Sequence, residues 1–326
     1  MKGTMTNDRI ICISHAEDAD GLTCAALLRR LKGALPVLAT YDDFEEILKG
    51  VEPPVSEVYI CDLNIREALV NEILRINEFA SVTILDHHPS KEGVLEKLVE
   101  GGVKLVHSPL DCASVLVYDH FREELGRGAG RLAAYAAWAD QFEDGPIATL
   151  LLREYDRQLV QYEGLTLAHA IINRPTEEFK SLIIETLSVE EFPHRVPDIT
   201  EAAIAQIEYK AGLIESVGEV ASKRGNIAFV KAEEGWPIGT VAGLLMDAVG
   251  ANVGLCYSEK DNAQINISIR SRRGFSFHLG EITQRIAESV GGFGGGHKRA
   301  SGASIPKSGL DGFLRDFEAA LKGQFD

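Results

Sequence analysis

The strongest constraint on the fold is an alternation that runs through the first 145 residues. Short apolar runs, RIICIS (9–14), LPVLATY (35–41), EVYICDL (57–63), SVTILD (81–86) and VKLVHS (103–108), are strand-like. Between them lie GLTCAALLRRLKG, DDFEEILKG, REALVNEILRINEF and KEGVLEKLVEGG, with apolar residues at helical spacing. This pattern predicts an α/β fold: a parallel sheet with helices on both faces. Ligands of such sheets sit at the carboxyl ends of the strands. The polar residues of interest fall there, with His15 after the first run, Asp62 in the third, and Asp86, His87 and His88 after the fourth.

From about 111 to 223 the chain reads as mostly helical, through DCASVLVYDHFREELG, RLAAYAAWADQFED and a long segment from Asp198 to near Gly225. Proline-bearing stretches, NRPTEEF and EEFPHRVPD, separate its pieces. Beyond it NIAFVKA, ANVGLCYS and AQINISIRS read as strands, and IGTVAGLLMDAVG and FHLGEITQRIAESVGG as helices. The expected organisation is therefore a parallel-sheet domain over 1–150, a helical connector over 151–224 and a smaller α/β domain over 225–326. A chain of 326 residues has room for two such domains.

Charge and cysteine usage narrow the function. A net charge of −16 argues against non-specific coating of long nucleic acid, which rests on many cationic contacts to phosphates. An acidic protein still handles phosphate where metal ions supply the positive charge. Five cysteines with no CxxC pair indicate neither a disulfide framework nor a zinc ribbon. No apolar run is long enough to span a bilayer, and the start MKGTMTNDR lacks the apolar segment of a secretory signal. The cytoplasm is the expected compartment, and a membrane is not an expected partner.

The chemistry concentrates in SHAEDADGLTCAA, which supplies His15, Asp18 and Asp20 on a strand-to-helix loop. With Asp62, Asp86, His87, His88 and Asp140 the set holds eight acidic or imidazole groups, several in apolar surroundings. Buried carboxylates without partners are costly, so the set calls for cations. Mixed imidazole and carboxylate donors without thiolate suit Mn²⁺ or Mg²⁺ better than structural zinc.

These segments resemble the DHH phosphoesterase superfamily with its C-terminal DHHA1 domain. The resemblance rests on the HAEDADG loop, the aspartate of ICDLN, the DHH of LDHHPS and Asp140 of AAWADQFED, in the family's order. In the last domain GGFGGGHKRASGAS resembles the GGGH motif of DHHA1, and ISIRS the strand arginine that accompanies it. The resemblance implies two divalent ions, Mn²⁺ ahead of Mg²⁺. His15 and Asp18 would hold one, Asp20, His87 and Asp140 the other, and Asp62 would bridge them. Asp86 would orient a histidine, and His88 would face the substrate phosphate, making these two the catalytic positions. Arg270, Gly295, Gly296 and His297 would bind the far end of a substrate held between the two domains, an arrangement that favours short nucleotides. One departure stands out. Related first motifs place three residues between the histidine and the next aspartate, whereas only Ala16 and Glu17 intervene here, leaving Glu17 as an alternative ligand. The expected function is a manganese-dependent phosphodiesterase or phosphatase acting on linear dinucleotides, short oligoribonucleotides or 3′-phosphoadenosine 5′-phosphate. The alternatives are a RecJ-like single-strand exonuclease and a nucleotide-binding regulator, with a homodimer as the expected oligomer.

Overall fold

The computed structural model describes residues 9–260 and 263–324; Met1–Asp8, most of the segment read for a secretory signal, lies outside them. The chain divides into two compact units, Met1–Ile207 and Glu208–Asp326.

In the first unit the strands are β1 (Arg9–His15), β2 (Leu35–Ala39), β3 (Val55–Cys61), β4 (Ser81–Asp86) and β5 (Lys104–His107). They form one parallel sheet in the order β2-β1-β3-β4-β5. The chain moves outward from β1 to β2 and then crosses back to β3, so the order reverses between β1 and β3. In such sheets ligands bind at that crevice. Side chains along each strand alternate between two cores. Ile11, Ile13, Val58, Ile60 and Ile84 pack on α2 (Phe44–Lys49), α3 (Val70–Asn77) and α4 (Val94–Glu100). Cys12, Tyr59, Cys61 and Leu85 face the opposite core, built by α1 (Ala19–Lys32), α5 (Ala113–His120) and α6 (Arg122–Ala139).

The segment expected as a connector folds differently. Its helices α7 (Pro146–Leu152), α8 (Arg157–Asn173) and α9 (Glu177–Ser188) belong to the first unit. Leu151, Val160, Leu167, Ile171, Phe179, Ile183 and Leu187 join the core that α1 faces. Two ion pairs, Arg29–Glu185 at 3.6 Å and Arg30–Glu190 at 2.9 Å, add to the α1–α9 packing. The two compact units therefore divide at 207/208, because the apolar faces of α8 and α9 are core faces of the first. The helix α10 (Ile199–Val220) runs across that division, and residues 222–224 form a strand instead of extending it. The run expected as one helix over 111–126 breaks at Phe121 into α5 and α6. Within α6, Gly126 has a φ of 75°, a conformation that side-chain-bearing residues disfavour.

The second unit has a six-stranded sheet in the order β10-β11-β9-β8-β7-β6. Its strands are β6 (Ser222–Arg224), β7 (Ile227–Lys231), β8 (Val253–Glu259), β9 (Gln264–Ser271), β10 (Phe293–Gly296) and β11 (Ala300–Pro306). Only β7 and β8 pair in parallel among these described strands. Ile265, Ile267, Ile269 and Ile305 pack on α12 (Leu279–Ser289) and α13 (Leu310–Leu321), whereas Val230 and Cys256 pack on α11 (Ile238–Ala248). Among the described residues no helix is long and apolar enough to cross a membrane.

Candidate metal centre

The predicted acidic and imidazole residues converge at the carboxyl ends of β1, β3 and β4, on both sides of the point where the strand order reverses. His15 ends β1 and is 8% exposed. Its Nε2 lies 3.7 Å from Asp18 Oδ2 and 3.9 Å from Glu17 Oε2. Asp18 also caps α1, since its Oδ1 accepts from the Gly21 amide at 3.0 Å. A Cβ on Gly21 would stand 2.2 Å from the His15 carbonyl oxygen, so only glycine lets α1 begin this close to β1. That contact accommodates the shortened loop, and the histidine and Asp18 remain neighbours despite it.

Asp20 is fully buried on the first turn of α1. Its Oδ2 accepts from the Ala113 amide at 2.7 Å and its Oδ1 from the Ser114 amide at 2.9 Å. Those amides open α5, so the carboxylate meets the positive end of that helix. Asp62 stands one residue past β3 with a φ of 58°, which turns its side chain out of the strand register. Its Oδ1 lies 3.1 Å from His87 Nε2, and its Oδ2 is buried without a hydrogen-bond partner. Asp140 caps the carboxyl end of α6 rather than lying within it, and its Oδ2 is 4.0 Å from His87 Nε2. The His87 ring also stands edge-on to Phe142 at 4.6 Å.

Two sets of side chains bring their donor atoms close enough to share an ion: Asp20, His87 and Asp140, and Asp62, His87 and His88. Among the described residues His15 and Asp18 do not complete such a set with a third group. In the second set His88 already has partners on both ring nitrogens. Its Nδ1 lies 2.9 Å from Asp86 Oδ1 and its Nε2 lies 3.1 Å from the Tyr41 hydroxyl. The backbone of His88 is fixed as well, its carbonyl lying 2.8 Å from His107 Nε2. Asp86 Oδ1 thus fixes one ring nitrogen of His88.

Burial, reinforced by the charges of Asp20 and Asp18, pushes the Asp140 carboxyl up to about 9. The same causes raise Asp62 well above the usual carboxylate range. Burial holds His87 below the ordinary imidazole range, which favours a neutral ring with a free lone pair. Among the described residues no lysine or arginine pairs with Asp18, Asp20, Asp62, Asp86 or Asp140. Asp62 Oδ2, Asp86 Oδ2 and His15 Nδ1 are buried without partners. A cluster so short of positive charge fits divalent cations. Its oxygen and nitrogen donors suit Mn²⁺ or Mg²⁺. Cys24, Cys61 and Cys112 lie nearby in the core, and burial pushes their thiols well above the ordinary value, so they are not part of the donor set.

Sequence reasoning missed Tyr41 and the amides of Ala113 and Ser114. Tyr41 follows β2, so the rule that singled out the ends of β1, β3 and β4 reaches it too. The amides carry no signal in side-chain identity, because any residues opening α5 would supply them.

The second unit gathers the other predicted residues. Arg270 on β9 donates Nη1 to Ser268 Oγ at 3.1 Å and to the Ile269 carbonyl at 3.0 Å, and has no carboxylate partner among the described residues. Gly239, in the first turn of α11, leaves room for it: a Cβ there would lie 3.2 Å from Arg270 Nη2. Gly295 and Gly296 lie on β10, an edge strand, and pair with Gly302 and Ser301. His297 begins the turn to β11, donating its amide to the Ala300 carbonyl at 2.7 Å. Gly291 and Gly292 donate to carbonyls at the end of α12, and a Cβ on Gly292 would meet the Ser304 carbonyl at 2.4 Å. Arg272 donates to the Ala251 and Met246 carbonyls, after and within α11, at 3.0 and 2.8 Å.

Residues 225–323 match the sequence model of the DHHA1 domain. An uncharacterized protein of Methanocaldococcus jannaschii is 25% identical over 139 residues, 42% of this chain and 41% of that protein. The chain therefore spans less than half the length of this curated relative. Among solved structures, the fold is similar to the DHH domain of a member of a family of ribosomal proteins, with TM-score 0.69 and 17% identity over 97% of this chain and 87% of that one. It is also similar to a pGpG-specific phosphodiesterase from Vibrio cholerae, with TM-score 0.61 and 13% identity over 97% of this chain and all of that one. RecJ in complex with Mn²⁺ from Thermus thermophilus gives TM-score 0.62 and 19% identity over 96% of this chain and 52% of that one.

Proposed function

From a chain of DHH-superfamily fold that ends in a DHHA1 domain, we propose a metal-dependent phosphoesterase that hydrolyses phosphoester bonds of short nucleotides. The observation that carries this reading is the set of carboxylates at the strand ends, with three imidazoles and, among the described residues, no lysine or arginine partner. Such a set is costly until cations enter it. The structural neighbours named above include a phosphodiesterase of a linear dinucleotide and a manganese-bound RecJ, so phosphoester chemistry on nucleotides agrees with the fold.

Asp20, His87 and Asp140 would hold one ion, His15 and Asp18 the other, and Asp62 would serve both. Bound there, two divalent ions supply a water of lowered pKa and neutralise charge developing on the phosphoryl oxygens. The chain's own residues do the rest. The α5 amides fix the Asp20 carboxylate in place; Asp86 fixes the His88 ring beside the place where the scissile phosphate enters. In the second unit Arg270, a guanidinium without a carboxylate partner among the described residues, suits a phosphate contact. Gly295, Gly296 and His297 are the other positions of that unit assigned to ligand contact.

The test is product chromatography after incubation with Mn²⁺ and, separately, pGpG, 3′-phosphoadenosine 5′-phosphate and a twenty-nucleotide single strand. Rapid cleavage of either small substrate with little of the long one is the expected result. The likeness to RecJ supports a second reading, a single-strand exonuclease, although this chain spans only 52% of that protein and carries a net charge of −16. Preference for the long strand, with activity that falls steeply as salt rises, would establish that alternative.

A further inference from the structure

We infer that Tyr41 is a substrate-contacting residue whose hydroxyl carries the Asp86–His88 pair out to a phosphate oxygen. The inference rests on the phosphoesterase reading, and the geometry behind it is local. Asp86 Oδ1 and the Tyr41 hydroxyl occupy the two ring nitrogens of His88, at 2.9 and 3.1 Å. His88 therefore reaches neither an ion nor a ligand without giving up a partner. A hydroxyl has one donor and two acceptor sites, and a phosphate oxygen only accepts, so Tyr41 would serve it with its single proton while its oxygen still accepts from other donors. The outer end of the Asp86–His88–Tyr41 series is the tyrosine oxygen, which also accepts from the Asn64 backbone amide.

Exposure points the same way. Tyr41 is 38% exposed, whereas His15 is 8% and Asp86 1% exposed. A ligand approaching the strand ends meets Tyr41 before it meets the buried groups. The ring itself is fixed, tilted against His15 at 5.1 Å between centroids and edge-on to His88 at 6.2 Å. Arg66 donates Nη2 to the Tyr41 carbonyl at 3.3 Å, so a cation attends the same loop. No carboxylate pairs with that arginine among the described residues.

The experiment uses the full chain and Tyr41→Phe, which keeps the ring against His15. A hydrogen bond to a charged group corresponds to roughly a ten- to hundredfold effect. With Mn²⁺, Tyr41→Phe is expected to lower kcat by about that factor on the preferred nucleotide, with metal content unchanged. On a His88→Asn background the same substitution is expected to have no further effect, because the series is already cut. With Mg²⁺-loaded protein, calorimetric titration of inorganic phosphate is expected to show binding weakened about tenfold by Tyr41→Phe. Multiplying losses in the double variant, or kcat within twofold of the parent, would overturn the inference. If the parent cleaves no nucleotide at all, the phosphoesterase reading fails on its own. The phosphate titration then still decides the matter, since equal affinity in parent and variant leaves Tyr41 only a packing role.

Discussion

Asp20 has two duties that one substitution separates. Its carboxylate is a predicted ligand, and it also receives the Ala113 and Ser114 amides at 2.7 and 2.9 Å in a fully buried setting. In Asp20→Asn the amide oxygen still accepts from one of these N–H groups, but the new NH₂ faces the other, donor against donor. The loss is one charge-assisted hydrogen bond plus an unsatisfied buried N–H, together about 3 kcal/mol. A global melt is the wrong assay, because an opposing effect appears in it: the Asp20 charge helps hold Asp140 up to about 9 and raises Asp62, so removing it relieves repulsion elsewhere in the cluster. Amide hydrogen exchange reads the two sites directly. In metal-free protein, protection at Ala113 and Ser114 is expected to fall by roughly a hundredfold where those amides exchange by local opening. The Asp140 carboxyl is expected to titrate lower than in the parent, followed by carboxyl-carbon NMR. Unchanged protection at both amides would refute the claim that Asp20 closes the start of α5.

Other consequences are open to measurement. His87→Ala is expected to remove most turnover and lower bound metal per chain while leaving the circular dichroism spectrum unchanged; full metal content by emission spectroscopy would remove His87 from the ligand set. In metal-free protein the raised Asp140 carboxyl binds a proton that the unfolded chain has already lost. This contribution to stability is therefore greatest at low pH and falls as pH rises toward about 9. Thermal midpoints in EDTA are expected to drop between pH 5.5 and 8.5 more steeply than with Mn²⁺ bound, and Mn²⁺ uptake at pH 7 is expected to release protons, seen as a buffer-dependent calorimetric enthalpy. Equal slopes and no proton release would contradict the assignment. Arg270→Ala is expected to raise KM with little change in kcat, and a loss confined to kcat would argue against a phosphate-gripping role.

Much of this centre is legible in the chain because side-chain identity and strand ends coincide. His15, Asp86, His87 and His88 end apolar runs or follow them directly, and the parallel sheet brings those ends together. The pairing of Asp86 with His88 follows from adjacency, since residues two apart at a strand end turn toward one side. Other features depend on information that no local window holds. Asp62 needs its left-handed backbone to leave the strand register, and the amides facing Asp20 come from a helix more than ninety residues away. The stretch over 151–207 reads as a run of helices, but periodicity shows only that a helix has an apolar face. It does not show which core the face meets, and here that core is the one beneath α1. The glycine-rich segment before His297 reads as an anion-binding loop; its spacing serves the close approach of β10, β11 and α12 as well.

The packing of α9 on α1 has a consequence for how the protein emerges from the ribosome. Every predicted ligand is synthesised by residue 140, yet Phe179, Ile183, Ile184 and Leu187, which complete the core behind α1, come later. For that interval the nascent chain carries its full set of donors while α1, which bears Asp20, lacks its backing. Metal capture and completion of the first unit are thus separated in time, and a growing chain that stops short of α9 would hold its ions more weakly than the finished one.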